Sequence, residues 1–143
     1  MSPWTRRFDL EDLDAIGEGT ASQNFGIRYT AIGEDWITAT IPLDTRTRNR
    51  DGTLHPGALG ILAETVGSVA ASLCIDPSRR ICVGQILHVN HPALVTTGPV
   101  YATASLITIL DDSHVWNIEM KDAAGAVVGA ARLAMAILDR TDH

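Results

Sequence analysis

The residues best suited to chemistry lie in one stretch, GTLHPGALGILAETVGSVAASL, from Gly52 to Leu73. His55 stands near its start, Glu64 follows nine residues later, and Ser68 follows Glu64 by four. A carboxylate such as that of Glu64 can act as a general base or as a nucleophile. Backbone N–H groups at the start of a helix can polarise a carbonyl or stabilise an oxyanion. The stretch therefore combines N–H donors that can polarise a carbonyl group with a carboxylate that can attack its carbon or activate water to do so.

His55 and Glu64 cannot both reach one carbonyl group from a single subunit. The sequence predicts one long helix from about Pro56 to Ile75, with His55 at its entry. A rise of 1.5 Å per residue separates Glu64 from the helix start by about 12 Å. If the two groups cooperate, an antiparallel partner helix across a twofold axis has to bring them together. The spacing therefore predicts a dimer with its sites at the interface.

The predicted helix has two faces of different character. A turn of about 100° per residue places a core face on Leu59, Leu62, Val66, Val69, Ala70 and Leu73. The opposite face is small apart from one carboxylate, and consists of Gly57, Gly60, Glu64, Gly67, Ser68 and Ala71. Glycine within a helix costs about 0.5–1 kcal/mol relative to alanine, so such a face needs a reason. Close approach of a second subunit or a flat ligand supplies one; a solvent-exposed Glu64 among incidental small residues is the alternative.

The segments on either side of the long helix predict the elements that pack against it. DLEDLDAIGEG is typical of a short helix capped by Asp9, and IRYTAIG and DWITATIPL are typical of strands. Four further strand-like segments follow the long helix: RICVGQILHVN, GPVYATASLITIL, HVWNIEMKD and AVVGAARLAMAIL. Gly84, inside the first of these four, indicates a close backbone approach. The order predicts an α+β fold, a single domain over residues 1–143, in which an antiparallel sheet wraps around one long central helix.

Composition disfavours several classes of function. The net charge of −6 over 143 residues disfavours binding to nucleic acids and to anionic membranes. No uninterrupted apolar segment has the length of a membrane span or a signal peptide, which predicts a cytoplasmic protein. Cys74 and Cys82 are expected as buried free thiols rather than as a disulfide framework. His88 and His91 would lie on opposite faces of a strand, so no metal site is expected, and no motif implies a cofactor.

Six stretches of the chain resemble the hotdog-fold thioesterases: LDAIGEG, IPLDTRT, LHPGALGILAETVGSVAASLC, VNH, HVWNIEM and RLAMAIL. The resemblance covers nearly the whole chain. It is strongest to the PaaI-like branch that contains 4-hydroxybenzoyl-CoA and 1,4-dihydroxy-2-naphthoyl-CoA thioesterases. The family pattern is Leu-His-Gly-Gly, then Leu-Ala-Glu, then a Ser or Thr four residues after the Glu. Here the pattern falls on His55, Glu64 and Ser68.

The resemblance implies a hotdog fold and a dimer that usually pairs into a tetramer, acting on an acyl-CoA or pantetheine thioester. Glu64 would attack the thioester carbonyl or activate water, and Ser68 would place that water. His55 and the helix start of the other subunit would hold the acyl oxygen. Asn49 occupies the position of a family glutamine, one methylene shorter. The resemblance also implies a substrate pocket shaped by Phe25, Ile61 and Thr65, with His91 near the site.

Pro56 departs from the family, which has glycine after the histidine. The N–H of that glycine polarises the thioester carbonyl, and proline has no N–H. Loss of one such donor typically slows a reaction by about 10²–10³-fold. Proline suits the first position of a helix, so the fold is unaffected. The N–H of Gly57 is the expected substitute donor at this end of the pocket.

The contacts to coenzyme A also depart from the family. Close relatives carry basic residues after the Asn-His pair and in the turn before HVW, whereas Asp111 and Asp112 in this turn would repel phosphate. Candidate replacements are Arg46, Arg48, Arg50, Arg79 and Arg80. Three interpretations follow: a thioesterase acting on an aromatic acyl-CoA or carrier-protein thioester, an enzyme of other chemistry with Glu64 as base, and a non-catalytic ligand-binding protein.

Overall fold

A computed structural model describes residues 1–141, which form three helices and six strands. The helices are α1 (Leu10–Ile16), α2 (Ala21–Asn24) and α3 (Pro56–Ser72). The strands are β1 (Arg28–Ile32), β2 (Trp36–Ile41), β3 (Arg80–Asn90), β4 (Val100–Ile109), β5 (Ser113–Lys121) and β6 (Val127–Asp139). Every element predicted from the sequence is present, and the alanine-rich last segment is a strand as predicted. The short helix α2 was not predicted.

The six strands form one sheet in the order β1-β2-β4-β5-β6-β3, with all neighbours antiparallel. Helix α3 packs across the inner face of this sheet and contacts all strands from β2 to β6. The predicted α+β class and the hotdog arrangement of a sheet around a central helix are thereby confirmed. Strands β1 and β3 form the two edges, so β3 has a partner on one side only.

Both main helices begin with the caps that their sequences provide. Asp9 and Asp12 form a capping box at the start of α1, and Gly17 follows its last residue. At the start of α3, His55 is the N-cap and Pro56 is the first helical residue. Helix α3 ends at Ser72, three residues earlier than predicted. The N-terminal segment meets this end, where the Thr5 hydroxyl donates to the carbonyls of Leu73 and Ile75.

The sheet covers more of α3 than the predicted core face. Five of the six predicted core residues are buried, but Val69 is only partly buried. Gly67 and Ala71, expected on the small-residue face, are also buried. A Cβ added at Gly67 would lie 2.5 Å from Leu133 Cδ2. The missing side chain of Gly67 therefore leaves room for the sheet and not for a ligand. The prediction was wrong at these three positions because a curved sheet covers more of a helix than one stripe. The outer face carries Gly60, Ile61, Glu64, Thr65, Ser68, Val69 and Ser72.

Candidate active site

The carboxylate of Glu64 lies in the middle of α3, on the half-buried outer face. The hydroxyl of Ser68, one turn later on the same face, donates a hydrogen bond to Glu64 Oε1 at 3.0 Å. The same hydroxyl lies 3.9 Å from the sulfur of Met135 on β6. The spacing of four residues therefore produces the contact that it implies on a helix. One oxygen of the carboxylate is held, which fixes the orientation of the group.

Edge strand β3 passes directly over this carboxylate at Gly84. A Cβ added at Gly84 would overlap Glu64 Oε1 and would lie 3.0 Å from Cδ and 3.2 Å from Oε2. The predicted close approach at Gly84 is therefore confirmed, and the group that approaches is the side chain of Glu64. The sequence alone did not identify that group, because the strand residue and the helix residue are twenty positions apart.

The first backbone N–H groups of α3 are engaged in local hydrogen bonds. The N–H of Gly57 donates to His55 Nδ1 at 2.8 Å, and the N–H of Ala58 donates to the His55 carbonyl at 2.9 Å. Pro56 has no N–H. The Gly57 N–H, expected as the substitute donor, is thus used by the histidine side chain. Because Nδ1 accepts this bond, a neutral imidazole carries its proton on Nε2, which leaves Nε2–H as the donor at this end of the site.

A cavity of about 410 Å³ opens beside this histidine. Its walls are Phe25, Arg46, Thr47, His55, Gly57, Ala58 and Ile61. Phe25, Ile61 and Thr65 were expected to shape the substrate pocket. Phe25 and Ile61 line this cavity, and Thr65 does not. Arg46 and Thr47 were not singled out as wall residues, although they belong to the IPLDTRT stretch that carries the family resemblance. Arg46 is held in an ion pair with Asp44, at 2.6 Å between Nη2 and Oδ2, which lowers the pKa of that carboxyl group.

The remaining predicted site residues are Asn49, Pro56, Thr65 and His91. Asn49 is half-buried in the loop before α3, where its side-chain N–H group is 3.3 Å from Thr53 Oγ1. His91 and Pro56 line a second cavity of about 130 Å³. Thr65 is half-buried on α3 next to Glu64.

Within one chain the cavity beside His55 and the pair of Glu64 and Ser68 remain apart, as the helix spacing predicts. The cavity beside His55 includes neither Glu64 nor Ser68 among its walls. The edge of β3 beside Glu64 carries exposed apolar side chains, with Val83 44% and Ile86 67% exposed. A carbonyl held at His55 would therefore need its base from another chain.

The cavity at the other end of α3 has a mixed charge. It measures about 880 Å³ and includes Arg79, Arg80, Asp111, His114, Asp139 and Arg140 in its walls. Arg80 is 3.5 Å from Asp111 and 3.2 Å from Asp139, so this candidate phosphate contact already faces two carboxylates. His114 is only 2% exposed, and burial, with the nearby Arg80, lowers its pKa.

The described residues show neither a metal-binding cluster nor a membrane-spanning helix. Over residues 1–141, no cluster of three or more His, Cys, Asp or Glu side chains has the arrangement of a metal site. No helix in that part of the chain is long and apolar enough to cross a membrane. Cys74 and Cys82 are free and partly buried, and burial raises the pKa of the Cys74 thiol to about 12.

The chain is similar to several known proteins. Residues 51–128 match the model of the thioesterase superfamily. The chain is 38% identical over 135 residues to a 1,4-dihydroxy-2-naphthoyl-CoA hydrolase of Escherichia coli K12, with 94% of this chain and 98% of that protein covered. It is 37% identical over 135 residues, with the same coverage, to the proofreading thioesterase EntH of Cronobacter sakazakii. A crystal structure of a variant of thioesterase PA1618 from Pseudomonas aeruginosa has a TM-score of 0.94 at 37% identity, covering 97% of this chain and 100% of that one.

Proposed function

The chain belongs to the thioesterase superfamily, as its motifs indicated, and we propose that it hydrolyses the thioester of an aromatic acyl group with Glu64 as nucleophile or general base. The observation that carries the proposal is the Glu64 carboxylate, held by Ser68 on the outer face of α3. A carboxylate fixed in this way is aimed at a reactant that enters from outside the subunit. It can attack the carbonyl carbon itself or remove a proton from the water that attacks.

The carbonyl oxygen is bound by side chains at the start of α3 of the partner subunit. Negative charge develops on this oxygen as the tetrahedral intermediate forms, and hydrogen-bond donors aimed at it lower the barrier. The backbone offers none here, because Pro56 has no N–H and the Gly57 N–H is donated to His55. His55 Nε2–H therefore supplies the main donor. The Asn49 side-chain amide is the second, once it exchanges its contacts with Thr53 Oγ1 and the Leu54 carbonyl for the substrate.

If Glu64 acts as the base, collapse of the intermediate breaks the C–S bond, and the leaving thiolate takes the proton that Glu64 removed from water. If Glu64 attacks the carbonyl carbon, the thiolate leaves an acyl–Glu64 anhydride, which water hydrolyses to the free acid and the restored carboxylate.

The site is completed by dimerisation through the edge of β3. This strand pairs only with β6, and Val83 and Ile86 are exposed on it. An unpaired edge with exposed apolar side chains is a template for pairing with a second chain. Pairing of two β3 strands across a twofold axis would extend the sheet and set the two α3 helices antiparallel. The helix start of one subunit would then face Glu64 of the other, in a dimer or in a tetramer built from such dimers.

The size and lining of the cavity beside His55 support an aromatic acyl group. Phe25, Ala58 and Ile61 give it apolar walls, and about 410 Å³ accommodates a ring system. A relative of 38% identity is named for a naphthoyl-CoA substrate. We also assign substrate binding to Gly57, which lines this cavity, to Pro56 and His91, which line the cavity of about 130 Å³, and to Thr65, which is next to Glu64 on α3.

The thiol carrier is coenzyme A or a protein-bound pantetheine. Arg80 lies between Asp111 and Asp139, and Arg46 is paired with Asp44, so neither presents a free charge to a nucleotide phosphate. The arrangement favours a carrier whose pantetheine arm, rather than whose nucleotide, supplies the binding contacts.

A second candidate function keeps Glu64 as a base but changes the substrate. Proton abstraction, cyclisation, dehydration or decarboxylation of a small molecule would need no backbone donor at residue 56. The observation that favours this alternative is that the Gly57 and Ala58 N–H groups already donate to His55. A ligand-binding protein without catalysis is a third candidate, in which Ser68 and Glu64 would hold a ligand.

Thiol release from a panel of aryl and alkyl thioesters, each as the coenzyme A and the pantetheine derivative, separates these functions. We expect the wild-type protein to hydrolyse aryl thioesters faster than alkyl thioesters, and Glu64→Ala to stop hydrolysis. A wild-type protein inert on every thioester would overturn the proposal. Hydrolysis that appears only in Pro56→Gly would then point to the second candidate.

A further inference from the structure

We propose that Gly84 is a positioning residue for the Glu64 carboxylate, because the missing side chain leaves the space on edge strand β3 in which that carboxylate lies. The inference rests on the proposed function, since it concerns the attacking group of that reaction. A Cβ at residue 84 would overlap Oε1 and crowd both Cδ and Oε2. The whole carboxylate therefore occupies the place of a side chain on β3.

The backbone does not require glycine at residue 84. Its φ lies outside the left-handed region, which in the described chain is occupied by Gly19, Gly26, Gly52 and Gly125. An alanine could adopt the same strand conformation, and alanine generally costs less conformational entropy than glycine in a strand. The requirement at this position is space for the carboxylate, and fold stability does not need a glycine there.

The strand is shaped around the carboxylate immediately after Gly84. Gly84 pairs with Met135 of β6, but Ile86 pairs with Ala134, so Gln85 is an extra residue in a bulge. A bulge bends a strand and changes the aim of the groups beside it. Met135 in turn lies 3.9 Å from the Ser68 hydroxyl that donates to Glu64 Oε1. The carboxylate thus lies between α3 and edge strand β3, and the neighbouring strand β6 contacts the Ser68 hydroxyl that holds it.

Gly84→Ala should displace the carboxylate while preserving the fold. Glu64 would have to take another rotamer and would lose its hydrogen bond from Ser68. A displacement of about 1 Å at a reacting group can cost about 10²-fold in rate. We expect kcat to fall by about 10–100-fold, with KM within about threefold and an unchanged melting temperature. Glu119→Ala, at an exposed position on β5 away from the proposed site and interface, is the control and should retain the wild-type kcat.

A double-mutant cycle with Glu64→Asp tests the mechanism. The shorter aspartate withdraws its carboxylate from β3, so an alanine at residue 84 no longer collides with it. Gly84→Ala should therefore cost about 10–100-fold in the Glu64 protein and less than about threefold in the Glu64→Asp background. Equal losses in both backgrounds, or no loss in the Glu64 protein, would overturn the inference.

A crystal structure of Gly84→Ala gives a readout independent of activity. We expect the Glu64 carboxylate to have left the Ser68 hydroxyl. If the 3.0 Å hydrogen bond persists beside Ala at residue 84, the inference fails even where the enzyme remains active. If instead the wild-type protein hydrolyses no thioester, the proposed function fails, and the structure of the variant still decides whether Gly84 positions Glu64.

Discussion

The start and the middle of helix α3 use their polar groups in opposite ways. At the start, the Gly57 and Ala58 N–H groups are donated to His55, and Pro56 contributes none. In the middle, Glu64 accepts one hydrogen bond from Ser68 and faces outward against β3. In the proposed reaction the base keeps the arrangement that the family motif implies, whereas the carbonyl oxygen would be bound by side-chain donors in place of a backbone N–H. The comparison predicts that the two regions respond differently to substitution.

Replacement of the carboxylate should have the largest effect. Glu64→Gln keeps the shape of the side chain but removes the base, and a general base typically contributes about 10²–10⁴-fold. We expect kcat for an aryl thioester to fall within that range at an unchanged melting temperature. Steady-state thiol release checks the rate and thermal unfolding checks the fold. A variant that retains more than about a tenth of the wild-type kcat would remove Glu64 from the reaction.

Loss of the imidazole should have the next largest effect. If His55 Nε2–H is the main donor to the carbonyl oxygen, His55→Ala should lower kcat by about 10²–10³-fold. Arg132→Ala, at an exposed position on β6 outside the proposed site and interface, is the control and should behave as the wild type. A loss of less than about threefold in His55→Ala would mean that the clamp lies elsewhere.

Restoration of a backbone donor sharpens the comparison further. Pro56→Gly adds an N–H at the first position of α3, beside donors that already serve the oxygen. We expect kcat to rise by no more than about tenfold, which is less than the 10²–10³-fold usually lost with a sole donor. The ratio of kcat values for the variant and the wild type measures this directly. An increase beyond about 10²-fold would show that side chains do not replace the missing N–H.

The smallest effect concerns stability at the far end of α3. Burial and the nearby Arg80 lower the pKa of His114, so the unfolded chain binds this proton more readily than the folded chain. The associated stability is complete above the unfolded pKa of about 6.5 and is lost as the pH falls through the lower folded value. We expect the melting temperature to fall by about 2–4 °C more in the wild type than in His114→Gln between about pH 7.5 and pH 5.5. Parallel curves for the two proteins would contradict this assignment.

The fold was predictable because its signals are local and mutually consistent. The predicted β3 coincides with the observed Arg80–Asn90, and the capping pattern at Asp9 marks the start of α1. The helix faces were predicted less well, since the burial of Gly67 and Ala71 depends on how far the sheet curves around α3. Periodicity along a helix contains no information on that curvature.

The candidate site likewise contains one contact that the sequence predicts and others that it does not. The contact between Ser68 and Glu64 follows from a spacing of four residues on a helix. The contact between Gly84 and Glu64 depends on the register of β3 against the helix, which only the folded chain defines. The use of the Gly57 N–H by His55 depends on the rotamer of one side chain, and no sequence pattern fixes it.

The most direct test of the account is activity in a mixture of two inactive variants, Glu64→Gln and His55→Ala. The variants are unfolded together, refolded and assayed for thiol release. If each site takes Glu64 from one subunit and His55 from its partner, half of the dimers are mixed and each has one intact site. The account therefore predicts recovery of about a quarter of the wild-type activity. Activity no higher than that of the separate variants would show that both residues serve one site within a single chain, and would contradict it.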